Sequence, residues 1–190
     1  MRRIASLLGI AALLALLAVA GACEDGGGGD GDALTLEAYL RTITTINDDS
    51  SAEAAAIQEQ LGTDVAGIAS VDEAVEILSD AIDDFLAVAT GVRDDLDAIK
   101  PPPEVSDLHG QLVELYAVAA TSLIGVQADL QSIDTSGDIN DVVAEFESFA
   151  TQVADEFNTL GSQSNDICLE LQGIADENSV EVDLDCSTGA

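Results

Sequence analysis

Between residues 70 and 99 the apolar positions Val71, Val75, Leu78, Ile82, Phe85, Ala89, Val92, Leu96 and Ile99 alternate steps of four and three without a break. That spacing holds one apolar stripe on one side of a helix for roughly four heptads. A stripe of this kind needs a partner, because an isolated helix gains little stability in water. Ser70 followed by Glu73 reads as a capping box at the start. Lys100 and Pro101-Pro102-Pro103 end the helix, since a residue before proline disfavours helix and proline lacks the N–H.

Three further segments supply partners. From Pro103, Val105, Leu108, Leu112, Leu115, Ala119, Leu123, Val126, Leu130 and Ile133 share a face. Asp134 to Asp138 reads as a turn with Asp138 as the next N-cap. Ile139, Val142, Phe146, Phe149, Val153, Phe157, Leu160, Ile167, Leu171 and Ile174 continue the pattern, interrupted only around Gly161-Ser162. The first segment is less regular. Leu36, Tyr39, Leu40, Ile43 and Ile46 share one face, as do Ala54, Ile57 and Leu61, with Asn47-Asp48-Asp49-Ser50-Ser51 between them. That cluster is either a solvated helical turn or a break, and a continuous helix is the favoured reading. The prediction is an all-α, antiparallel up-down four-helix bundle with helices over 35–61, 70–99, 103–133 and 138–177 and a tail over 178–190.

Charge limits the functions open to such a bundle. The 190 residues include 37 Asp and Glu against 5 Lys and Arg, a net charge of −32. Phosphate backbones would be repelled, which excludes nucleic acid as a partner. A single His and no Trp leave little for heme, zinc or triad chemistry. The Glu-x-x-His pair of di-iron bundles is absent, because Ser106 stands three residues before His109. The chain is expected to be non-catalytic and to need no cofactor.

Residues 1–22 read as a leader. Arg2 and Arg3 precede an uncharged apolar run from Ile4 to Ala22 that ends in Ala20-Gly21-Ala22, directly before Cys23. This pattern resembles the lipobox of bacterial lipoproteins, with Ala20 where that family prefers Leu. The resemblance implies cleavage before Cys23, a thioether-linked diacylglyceryl group on its sulfur and acylation, commonly by palmitate, of the new amino group. Two or more chains hold a protein on a membrane stably, whereas one does not. Residues 23–34 are rich in Gly and acids, which predicts a flexible tether with a reach of about 16–19 Å over ten residues. The alternatives are plain secretion and an uncleaved transmembrane helix, for which the run is long enough. Lys100 to Glu104 with His109 is similar to the interhelix connection of some uncharacterised secreted helical lipoproteins, a resemblance that implies no activity.

With Cys23 lipidated, Cys168 and Cys186 remain as an even pair in an oxidising compartment. The tail is long enough to fold back along the last helix and place Val180, Val182 and Leu184 against the bundle. A disulfide there is expected to pin it, and a redox-active pair is the alternative. The residues closest to a metal loop are Asp134, Asp138 and Glu145, at positions 1, 5 and 12 of an EF-hand-like spacing. Gly is missing from position 6, and Asp141 replaces the apolar residue at position 8. His109 is a further metal candidate, with a partly exposed structural role as the plainer expectation. Weak, diffuse binding of divalent cations fits the acidic faces better than a cage. Together these features predict an extracytoplasmic, lipid-anchored binding or structural module of the cell envelope, with a protein partner that the sequence does not name. The alternative is a protein that handles divalent cations or metals with its acidic helix faces.

Overall fold

Thr35 starts the first helix: its hydroxyl accepts from the Ala38 amide at 3.2 Å. In the computed structural model, which describes residues 33–136, 139–184 and 186, α1 spans Leu36–Val65, α2 Val71–Asp97, α3 Ser106–Gln131 and α4 Ile139–Glu177. A single 3-10 turn, Pro103–Val105, leads into α3. Each helix packs most extensively on its neighbours in sequence, α2 on α3 above all, while α1 and α4 close the ring through the sparsest of the four contacts. The protein is the four-helix bundle that the heptad pattern predicts.

α1 runs on through Asn47–Ser51 as the favoured reading expects, with Asp49 exposed and the two serines turned inward. Ser50 and Ser51 are buried on the core side, and the Ser50 hydroxyl donates to the Asn47 carbonyl at 2.9 Å. That local bond satisfies the hydroxyl inside the helix and lets a polar residue face the core. The helix also passes its expected end at 61, because Val65 lies one turn beyond Leu61 and both are buried. The α3 start differs as well. The backbone of Val105 leaves helical geometry (φ −121°, ψ 8°), so the segment from Pro103 is a 3-10 turn and then a helix. Asp138, the expected N-cap, and Gly137 lie outside the described residues.

The seams close as the spacing requires. On α2, Leu78, Ile82, Phe85, Ala89, Val92 and Leu96 are buried, and the ends of the stripe, Val71, Val75 and Ile99, pack half-buried against the core. Phe85, Leu96, Leu123, Leu130 and Leu171 are among the most completely enclosed side chains. The capping box forms with a shift: Ser70 accepts from the Glu73 amide, while the Glu73 carboxylate reaches back to the Ala69 amide at 2.8 Å, one residue before the cap. α4 is continuous across Gly161-Ser162, so its 39 residues extend about 58 Å at 1.5 Å per residue. The segment Pro103–Gln131 is long and apolar enough to cross a membrane by length and composition alone, but Leu108, Leu112, Leu115, Leu123, Val126 and Leu130 are buried within the bundle.

The tail returns as predicted. α4 ends in a Schellman turn: the Val180 amide donates to Ala175 O at 2.9 Å and the Ser179 amide to Asp176 O at 3.1 Å. Ser179 sits at the left-handed position with φ 56°, where glycine is the usual occupant. Val180 and Val182 are half-buried and Leu184 is buried, with Glu181 and Asp183 exposed between them. Cys168 and Cys186 form the disulfide, with Cα atoms 5.6 Å apart. Closing a loop of this size contributes about 3 kcal/mol in the chain-entropy view.

Few cations are present to offset the acids. Arg41 pairs with Glu37 at 3.0 Å and Arg93 with Asp94 at 2.7 Å, all on the surface, where such pairs contribute little. Elsewhere the acids take neutral donors across helices: Ser122 of α3 donates to Glu156 of α4, and Gln127 of α3 to Asp83 of α2. Glu76, Asp80 and Asp84 stack one turn apart on the exposed face of α2, each neighbouring pair costing about 0.2–0.5 kcal/mol. Screening by salt weakens such repulsion, so the melting temperature at neutral pH is expected to rise between low and high salt; an unchanged or lower value would show that the acids do not set the stability. Ser179→Gly is expected to raise stability by about 0.5–1 kcal/mol, since it removes the left-handed penalty, as read by urea denaturation of both forms.

Candidate functional site

Two places in the bundle gather polar chemistry: a pocket in the sparsest seam, and a buried Tyr–His pair.

The pocket arises from side chains too small for their positions. On α4, Leu160 and Ile167 are buried in the seam, and the step between them falls on Ser164. On α1, Asn47, Ser50, Ser51 and Ala54 occupy the middle of the inward face, whereas the inward faces of the other helices mix Leu, Ile, Val and Phe with alanine. A hollow of about 60 Å³ remains, partly open to solvent. Ile43 and Asn47 of α1, Val92 and Leu96 of α2, Leu112 and Tyr116 of α3, and Ser164 and Leu171 of α4 line it, joined by Leu184 of the tail.

Gln172 holds that tail in place. Its Nε2 donates to Val182 O at 3.0 Å and its Oε1 accepts from the Leu184 amide at 2.9 Å. The side-chain amide thus bonds two backbone groups of an extended segment, as the edge of a strand would. The same Nε2 also donates to Asp176 at 3.0 Å. Neither Gln172 nor Ser164 is conspicuous in the sequence; the break in spacing near Gly161-Ser162 is the only trace of the second.

Tyr116 is half-buried in this wall, and burial raises its pKa. Among the other polar groups of the wall, Thr44 already donates to Leu40 O at 3.0 Å.

His109 lies at the first turns of α3. It is 8% exposed, so the expectation of a partly exposed side chain is corrected. The buried face is two residues wide here, Leu108 and His109 together, because Tyr39 of α1 packs edge-on against the imidazole with ring centres 5.8 Å apart. Tyr39 is completely enclosed, and burial pushes its pKa up to about 12. Its hydroxyl meets His109 Nδ1 at 3.4 Å. Burial lowers the pKa of His109, against a smaller opposing effect of the Asp97 charge.

Among the described residues the metal candidates do not come together. His109 is near the start of α3 and Asp134 follows its end, about 35 Å away along the helix axis. Asp134 is engaged in a turn: its Oδ1 accepts from the amide and the hydroxyl of Ser136 at 2.9 and 2.6 Å, which lowers its pKa. Glu145 is exposed on α4, and Asp138 lies outside the described residues. Asp72, Glu76 and Asp80 border a shallow surface cleft between the start of α2 and the end of α3. Among the described residues no group of three or more His, Cys, Asp or Glu side chains is placed to hold a metal ion. Cys23, the lipidation candidate, is also outside the described residues.

No family model matches the chain, and no curated protein or solved structure matches it either.

The buried imidazole gives a pH signature. Below about pH 6.5 the unfolded chain binds a proton on His109 that the folded form takes up only at lower pH, so stability falls with pH until the folded group also titrates. His109→Gln is expected to lose that component. The check is the difference in unfolding free energy between wild type and variant from pH 7.5 to 5, in which the relief of acid–acid repulsion is common to both; a difference that stays constant with pH would show that the imidazole titrates alike in the folded and the unfolded chain.

Proposed function

We propose that the protein is an extracytoplasmic lipoprotein whose acidic helical bundle is held at a membrane surface by lipid on Cys23 and acts as a non-catalytic binding or structural module of the cell envelope. One observation carries the reading: the arrangement of Arg2-Arg3, the uncharged run 4–22 and Ala20-Gly21-Ala22 immediately before Cys23. Its physical sense is that the two or more acyl chains such a cysteine receives suffice for stable attachment, whereas one does not.

Two features support the compartment and the role. The Cys168–Cys186 bond suits an oxidising environment. The Gly-rich, acidic stretch after Cys23 would separate the bundle from an anionic lipid surface that its own charge also repels. Support for a binding module over an enzyme comes from the side chains themselves. The one histidine of the chain is enclosed against Tyr39, and burial lowers its pKa despite the nearby Asp97 charge.

Labelling with a palmitate analogue tests the anchor. The wild-type chain is expected to take up label and to partition into detergent, and Cys23→Ser to do neither. Mature protein with an unmodified Cys23 thiol, or with the leader still attached, would overturn the proposal.

A further inference from the structure

We propose that the pocket in the α1–α4 seam is a binding site for a small, neutral, mostly apolar molecule that carries one hydrogen-bonding group. This deepens the reading of the bundle as a binding module and is independent of the anchor: absence of lipid on Cys23 would leave it standing, and its own failure would leave the anchor untouched.

Position supports it first. The walls come from all four helices and from the tail, so the hollow belongs to the bundle interior. It lies where α1 and α4 touch least, and the two seam positions that would fill it carry Asn47 and Ser164. A continuous apolar seam would be the more stable choice there, because unfilled core volume costs stability.

The second support is Tyr116, a half-buried side chain that brings a hydroxyl to a wall otherwise made mainly of Ile, Val and Leu. A tyrosine with its ring in an apolar wall ordinarily finds a bond for its oxygen, and a ligand with one donor or acceptor offers one.

Charge and size then set the class of ligand. The 37 carboxylate residues of the chain produce a field that opposes entry of an anion, so a fatty carboxylate is disfavoured and a neutral molecule is favoured. A volume of about 60 Å³ corresponds to about four to six water-sized groups. A branched alcohol of five non-hydrogen atoms is near the limit without displacement of Leu184.

The test is titration of the purified, oxidised protein with 2-methylpropan-1-ol, xenon and butanoate, followed through methyl resonances of Leu171 and Leu184. Saturable shifts are expected with the alcohol and with xenon, and none with butanoate. Tyr116→Phe should weaken the alcohol by about threefold to tenfold, the effect of one hydrogen bond, and leave xenon unchanged. Ser164→Leu should fill the hollow and abolish both. The proposal is overturned if the alcohol gives no saturable shift, if butanoate binds as well as the alcohol, or if Tyr116→Phe weakens alcohol and xenon equally.

Discussion

The structure depends on the mutual covering of four apolar stripes in a chain whose outer surface repels itself. Burial of Phe85, Leu96, Leu123, Leu130 and Leu171 is the main favourable contribution. The like-charged faces of the helices work against it, and the chain has too few cations to offset them. The arrangement that reconciles both is one in which every helix turns its carboxylates outward and its stripe inward. Glu156 and Asp83, where they meet a neighbouring helix, accept from the neutral donors Ser122 and Gln127. A neutral donor brings no counter-charge, but it also leaves no buried ion to desolvate.

This balance is uneven around the ring. The α2–α3 contact is the most extensive and combines the two most regular stripes, while α1 and α4 meet least. The polar run in the middle of α1 is the reason. Ser50 satisfies itself within the helix, yet neither it nor Asn47 fills space as a leucine would. The tail compensates from outside by adding Leu184 to the wall. The weakest seam of the bundle is thus closed partly by a segment that is not helical, and the hollow beneath that segment is where the proposed ligand would sit.

Much of this was legible in the sequence because burial follows spacing. The steps of α2 from Val71 to Ile99 map one by one onto core or half-buried positions. The alternation of Val180, Val182 and Leu184 maps in the same way onto inward-facing positions. What could not be read was set by tertiary contact. His109 is buried because Tyr39, seventy positions earlier, happens to pack at its level. Gln172 is an ordinary surface-type residue until a tail folds back within reach of its amide. The continuity of α1 across Asn47–Ser51 is the reading the sequence favours, but that Ser50 and Ser51 face the core is something propensity alone does not decide. The hollow was visible only as an interruption near Gly161-Ser162 that gave no hint of its depth.

Gln172 has one more consequence. Because the Schellman turn and this single amide already lay the tail along α4, the thiol of Cys186 is delivered to its partner by short-range contacts alone. The covalent bond and these contacts thus constrain the same segment twice over, at Cys186 and again at Val180, Val182 and Leu184.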